Sequence, residues 1–194
     1  SPPGVRGGLD SKGGKKGEFG TQVNERSLRI IGRQGVDSGQ RVEAYFRFPS
    51  GPQNLLGYRV LKAWFRGRGP GWGTTGDFQA YLRVGSDSRN FYQYITDAQT
   101  TTWLPEVSVN LETWRNLRGA IESRRLQGLP PDSAARVACG GDPALNDAYV
   151  LCDGPYLVHI EDVAVNPPNL ASVQEIAAGI FRRSGNETTD SAEV

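Results

Sequence analysis

Along most of the chain apolar residues recur at every second position, the period of a strand that buries one face. In "RVEAYFRF" (41–48), Val42, Ala44, Phe46 and Phe48 fall on one face and Arg41, Glu43, Tyr45 and Arg47 on the other. "YRVLKAWFRG" (58–67) puts Leu61, Ala63 and Phe65 together. "GDFQAYLRVGSDSRNFYQYI" (76–95) holds two alternations around the turn formers of "GSDSRN", and so predicts a β-hairpin. On this reading Phe78, Ala80, Leu82 and Val84 face a core and Phe91 and Ile95 join them, while Tyr81, Arg83, Tyr92 and Tyr94 form an outer face. Further strands are expected at "SLRII" (27–31), "VSVNL" (107–111) and "YLVHIEDVAV" (156–165), the last stopped by Pro167 and Pro168.

The period changes once. Trp114, Leu117 and Ile121 are spaced three and four apart, as on one helix face, so a short helix is expected near 112–126, weakened by Gly119 and ended by "LPPDS". "VQEIAAGIF" (173–181) has a composition that allows a helix, while its neighbours suggest a strand. Many short strands, turns between them and one helix indicate an all-β chain, an antiparallel jelly-roll-like β-sandwich. Residues 1–23 read as a flexible Gly/Lys-rich extension, 24–183 as the sandwich module, and 184–194 as a loose polar tail.

Composition changes this picture little. The 194 residues suffice for one domain with a substantial core. The 22 basic and 21 acidic residues nearly cancel, which does not support a nucleic-acid binder. No apolar run reaches the roughly 20 residues that span a bilayer as a helix. The sequence starts at Ser1 and contains no Met, so a piece of a longer protein is expected. Lys12, Lys15 and Lys16 in the extension could touch an acidic partner or an anionic membrane surface, or simply be solvated.

Candidate chemistry is sparse. Cys139 and Cys152 flank a Gly/Asp/Pro/Asn-rich stretch and are a disulfide candidate, which implies an oxidising compartment; two buried thiols are the alternative. Zinc normally needs four ligands and His159 is the only histidine, so no metal site is expected. "DSRN" and "GGDP" lack a full calcium series, and "GRGPGWG" (67–73) lacks the lysine of a phosphate loop. No carboxylate pair or nucleophile pattern emerges, so no catalytic residue and no cofactor is assigned. Of the tryptophans, Trp64 and Trp114 are expected in the core, Trp103 at a strand end and Trp72 in a loop, where it could stack on a sugar. "NET" (186–188) fits a glycosylation acceptor.

The order of "NERSLRI", "GDFQAYLRVGSDSRNFYQYI" and "VSVNLETWRNL" resembles the repeated soluble module of the SprA family, large cell-surface proteins of Bacteroidetes-type bacteria. The family's opening segment is matched by Asn24 to Leu28, its "R-GSD" strand end by Arg83 to Asp87, and its aromatic strand by Asn90 to Tyr94. Trp103, Pro105 and Glu106 match its tryptophan-proline-acidic stretch, and "NPPNLASVQEIAAGI" (166–180) is similar to a later one. Two departures stand out: residues 133–153 look like an insertion, and the family's acidic position in the aromatic strand is Gln93. The family module continues into a further strand where this sequence ends, which would leave one sheet edge unpaired. The resemblance implies an extracytoplasmic location (periplasm, outer membrane or cell surface) and a non-enzymatic role in type IX secretion and gliding motility.

The expectation is therefore an interaction module on the extracytoplasmic side of a membrane, docked on protein subunits of a larger complex through Trp72, Tyr81, Arg83, Tyr92 and Tyr94. An accessory subunit of another membrane complex, for example a photosynthetic reaction-centre complex, and a carbohydrate-binding module are the alternatives.

Overall fold

The hairpin of residues 76–95 forms, and the rest of the chain is arranged around it. The computed structural model describes residues 28–32, 40–103, 105–139, 148–161, 164–183 and 192–194. Lys12, Lys15, Lys16, the 1–23 extension and the 186–188 acceptor pattern lie outside the described residues. The strands are β1 (Ile31–Gly32), β2 (Arg41–Arg47), β3 (Val60–Ala63), β4 (Phe78–Gly85), β5 (Asn90–Thr96), β6 (Val107–Asn110), β7 (Tyr149–Asp153), β8 (Tyr156–Ile160), β9 (Glu175–Arg182) and β10 (Ala192–Glu193). Among the described residues, two helices, α1 (Leu111–Leu126) and α2 (Ser133–Ala138), follow β6.

The chain is mostly antiparallel sheet in two sandwich-like layers. One layer is a six-stranded sheet of order β2-β9-β4-β5-β8-β7. The other holds the pairs β1-β10 and β3-β6, and Glu193 of β10 also bridges Arg68, a few residues past β3. This gives the opposing layer a neighbour order of β1, β10, the β3 segment and β6, with α1 beside it packing on β7 and β8.

The core lies between the layers. Leu82, Val84, Tyr92, Val158 and Ile160 of the large sheet meet Val107 and Val109 of β6 and Leu111, Trp114, Leu117 and Ile121 of α1. Trp114 is fully enclosed, and its indole N–H donates to the Gln93 carbonyl oxygen at 3.1 Å, so its one polar atom is satisfied. Helix α1 begins where the side chain of Asn110 accepts a hydrogen bond from the Glu112 amide. A second cluster, Ile30, Phe78 and Ile180, joins β1 to the other end of the sheet, with Val42 and Trp72 packed against it.

The register corrects one sequence expectation. Val84 pairs with Tyr92 and Leu82 with Tyr94, so Tyr92 and Tyr94 share the core face with Leu82, and Phe91, Gln93 and Ile95 share the other with Tyr81 and Arg83. A slip of one residue reverses every side chain of a strand, and β5 gives little polar signal to fix it, because Asn90 to Gln93 are all buried. The segment 173–181 resolves as a strand: β9 sits between β2 and β4. The expected strand 58–67 is trimmed to β3, and β8 forms within 156–165. Helix α2 and strand β7 arise within residues 133–153, where no element was expected. The expected polar tail ends in β10, paired to β1.

Candidate interaction surface

The outer face of the six-stranded sheet carries a polar network centred on Arg83. Strand alternation points Arg83 and Tyr81 of β4 away from the core, and the pairing of β9 with β2 and β4 brings Glu43 and Glu175 to them. The Arg83 guanidinium donates to Glu43 Oε1 and to Glu175 Oε1, each at 2.8 Å. The Tyr81 hydroxyl donates to Glu43 Oε2 at 2.8 Å. Its ring lies over Gly179, where a Cβ would approach the ring carbon to 2.6 Å, so this glycine leaves the space in which the ring lies flat. Arg41 donates to Gln93 Oε1 at 3.1 Å, and its guanidinium lies over the Tyr81 and Phe91 rings at 6.0 and 5.8 Å.

Electrostatics follow from this enclosure. Burial pushes the Tyr81 hydroxyl well above its ordinary pKa, and the bond to Glu43 adds to the effect. Burial also raises the Glu175 carboxyl, against the pull of Arg83. His159 stacks on Phe91, with ring centroids 5.0 Å apart, and its Nδ1 is 2.6 Å from the Arg89 carbonyl oxygen. Burial lowers its pKa, favouring the neutral ring. Charged groups here have partners within hydrogen-bond reach, so the cluster acts chemically as an ion-pair clamp across β2, β9 and β4.

The clamp corrects the docking residues read from the sequence. Tyr81 is 0%, Arg83 3% and Tyr92 2% exposed, so none of the three offers a free surface. Tyr92 faces the core, and the outer face of β4 that carries Tyr81 and Arg83 is itself covered, whereas a simple sandwich leaves it wet. The Tyr92 hydroxyl donates to the Pro168 carbonyl oxygen at 2.9 Å, and burial raises its pKa to about 12. Tyr94 is half-buried, edge-on to Tyr156 at 4.9 Å. Trp72 is half-buried against Phe78, its indole N–H on the Arg68 carbonyl oxygen at 3.2 Å, so it is packed rather than free in its loop. Trp64 is likewise half-buried, and only Trp114 of the two expected core tryptophans is fully enclosed. Asp87 Oδ1 accepts from the Arg89 and Asn90 amides, each at 2.8 Å, closing the hairpin turn.

Cys139 and Cys152 are bonded, with their Cα atoms 5.6 Å apart, and tie the end of α2 to β7. Phe91, Ala148, Val150 and Leu157 pack beside the bond.

Exposed aromatic side chains lie elsewhere, at β2 and at Tyr58 ahead of β3. Among the described residues the seven-residue strand β2 pairs only with β9, and nothing among them pairs with its other edge. Tyr45 and Phe46 are 67% and 57% exposed, and Phe46 meets Phe48 edge-on at 5.6 Å. Arg41 and Arg47 flank them, both exposed. Alternation alone marks Phe46 as a core residue and hides its exposure, since edge position is a property of topology. Glu43 and Glu175, 132 residues apart in sequence, carried no local signal that Arg83 joins them.

No family model matches the chain, and no curated protein matches it.

Proposed function

We propose that this chain is a non-enzymatic interaction module of the jelly-roll type, which docks on a larger assembly on the extracytoplasmic side of a membrane through edge strand β2. The two strand orders support the jelly-roll reading. β1, β10, β3 and β6 opposite β2, β9, β4 and β5 is the interleaving that two Greek keys produce, with α1, α2 and the β7-β8 hairpin added between β6 and β9.

The observation that carries the docking reading is the exposed aromatic edge. Edge strands of soluble proteins are commonly blunted by charge, proline or bulges. Here a seven-residue strand with no proline carries charge at Arg41, Glu43 and Arg47, and presents Tyr45 and Phe46 between the exposed arginines. Strand addition at such an edge supplies main-chain hydrogen bonds, while alternate side chains give specificity. The disulfide is consistent with an oxidising, extracytoplasmic compartment, and the resemblance to the SprA module suggests a type IX secretion-like assembly as the partner.

Replacing Tyr45 and Phe46 with lysine tests this. In cells that make the protein, the double variant should lose co-purification with its membrane assembly while its melting temperature stays within a few degrees. Retained assembly at wild-type level would exclude β2 as the docking strand.

A further inference from the structure

Helix α1 and residues 167–170 bound a groove of about 370 Å³, lined by Leu56, Arg115, Arg118, Gly119, Pro167 and Pro168 among others. Arg115, Arg118, Gly119 and Glu122 are spaced so that they share one stripe of the helix, beside the buried stripe of Trp114, Leu117 and Ile121. The opposite wall is held in place. The Ser86 hydroxyl donates to the Pro167 carbonyl oxygen at 3.4 Å, and the Tyr92 hydroxyl donates to that of Pro168 at 2.9 Å.

The helix wall has more positive charge than its own carboxylate answers. Glu122 is shared: it accepts from Arg118 at 3.0 Å and also from Arg125. Arg115 donates to the Tyr58 carbonyl oxygen at 3.1 Å, and among the described residues it has no carboxylate partner. Gly119 is the second feature. Glycine is the least favourable residue in a helix interior apart from proline, and a Cβ at this position would meet nothing within 4 Å. The packing of the described residues does not demand glycine there. Its effect is to leave open space on the stripe that also carries Arg115 and Arg118, with Leu56, 49% exposed, among the groove's lining residues.

We infer that this groove is a docking site for a linear acidic peptide segment of a partner protein. A carboxylate of the segment pairs with Arg115 and Arg118, and an adjacent apolar side chain fills the gap over Gly119 against Leu56 and the proline wall. The site shares no residue with β2, so the two surfaces act independently, and failure of the edge variants leaves this inference standing.

The probe is a fluorescein-labelled peptide alternating Glu and Leu, measured by anisotropy against the wild-type chain, with its Lys-for-Glu counterpart as control. The acidic peptide should bind at least tenfold tighter than the control and weaken as salt rises. Gly119→Leu should reduce binding tenfold or more by filling the gap, and Arg115→Glu should do the same by reversing the charge. Gly119→Ala should raise the melting temperature, which separates groove filling from helix damage. Equal binding of the two peptides, or undiminished binding by both Gly119→Leu and folded Arg115→Glu, would overturn the inference. So would binding to vesicles of anionic phospholipid without binding of the peptide, since the cations would then serve a membrane surface.

Discussion

Arg83 shows how far a side chain's neighbours decide its role. On alternation alone it is an exposed arginine beside tyrosines, a composition common at interfaces. Placed between Glu43 and Glu175 it becomes a clamp that is 3% exposed. Removing one partner of a buried ion pair leaves an uncompensated charge, at a cost of about 3–5 kcal/mol. Arg83→Met should therefore destabilise the chain by an amount near that range in urea unfolding. A second substitution, Glu175→Leu, should recover part of the loss. A change under about 0.5 kcal/mol, the range of ordinary surface substitutions, would show the clamp to be idle. Gly179→Ala should also destabilise, because its Cβ meets both the Tyr81 ring and the β2 backbone. Its signature is a lower urea midpoint with unchanged slope.

His159 predicts a pH dependence of definite sign. Its folded pKa lies below the ordinary 6.5, chiefly through burial. As pH falls from 6.5 toward the lower folded value, the unfolded chain takes up the proton first, so stability declines across that window. The stability that His159 contributes is full above pH 6.5 and lost as pH drops through the folded pKa. His159→Gln should flatten that part of the stability profile measured by thermal unfolding at successive pH values, and an unchanged slope would assign the effect to other groups.

At the scale of elements, the legible parts are those with one wet face or one period. Strand β4 follows its alternation, and α1 follows the spacing of Trp114, Leu117 and Ile121 to within a residue of the expected bounds. Strand β5 does not, because aromatic or aliphatic residues occupy both faces and its one polar residue on the outer face, Gln93, is itself buried. Strand β9 was ambiguous for the same reason: Ala177, Ala178 and Gly179 suit a helix or a doubly covered strand, and its two neighbours decide the matter. Strand β7 and helix α2, five and six residues long, are too short to show a clear period, and the Cys139–Cys152 bond ties them together. With a sequence separation of 13, a bond of this loop length typically stabilises by about 2–4 kcal/mol. Cys139→Ser with Cys152→Ser should lower the stability by that order and loosen β7 first, seen as earlier amide exchange at 149–153. Uniform loss across all strands would mean that the bond supports the whole domain.

At the scale of the whole molecule, the fold class could be read from turns and alternation, but the accessible surface could not. Five residues expected to face a partner became two half-buried and three buried side chains. The outer face is buried at the central strands β4 and β5, and at β2 it carries an exposed aromatic, Tyr45. On the proposed reading, the edge of β2 receives a strand from a partner. Hydrogen exchange at Arg41–Arg47 measures it most directly, comparing the free chain with the chain in its native membrane assembly. Strand addition predicts that the outward amides of β2 exchange quickly in the free chain and become protected on assembly, while the inward ones, bonded to β9, change little. Rapid exchange of the outward amides in both states would contradict the claim.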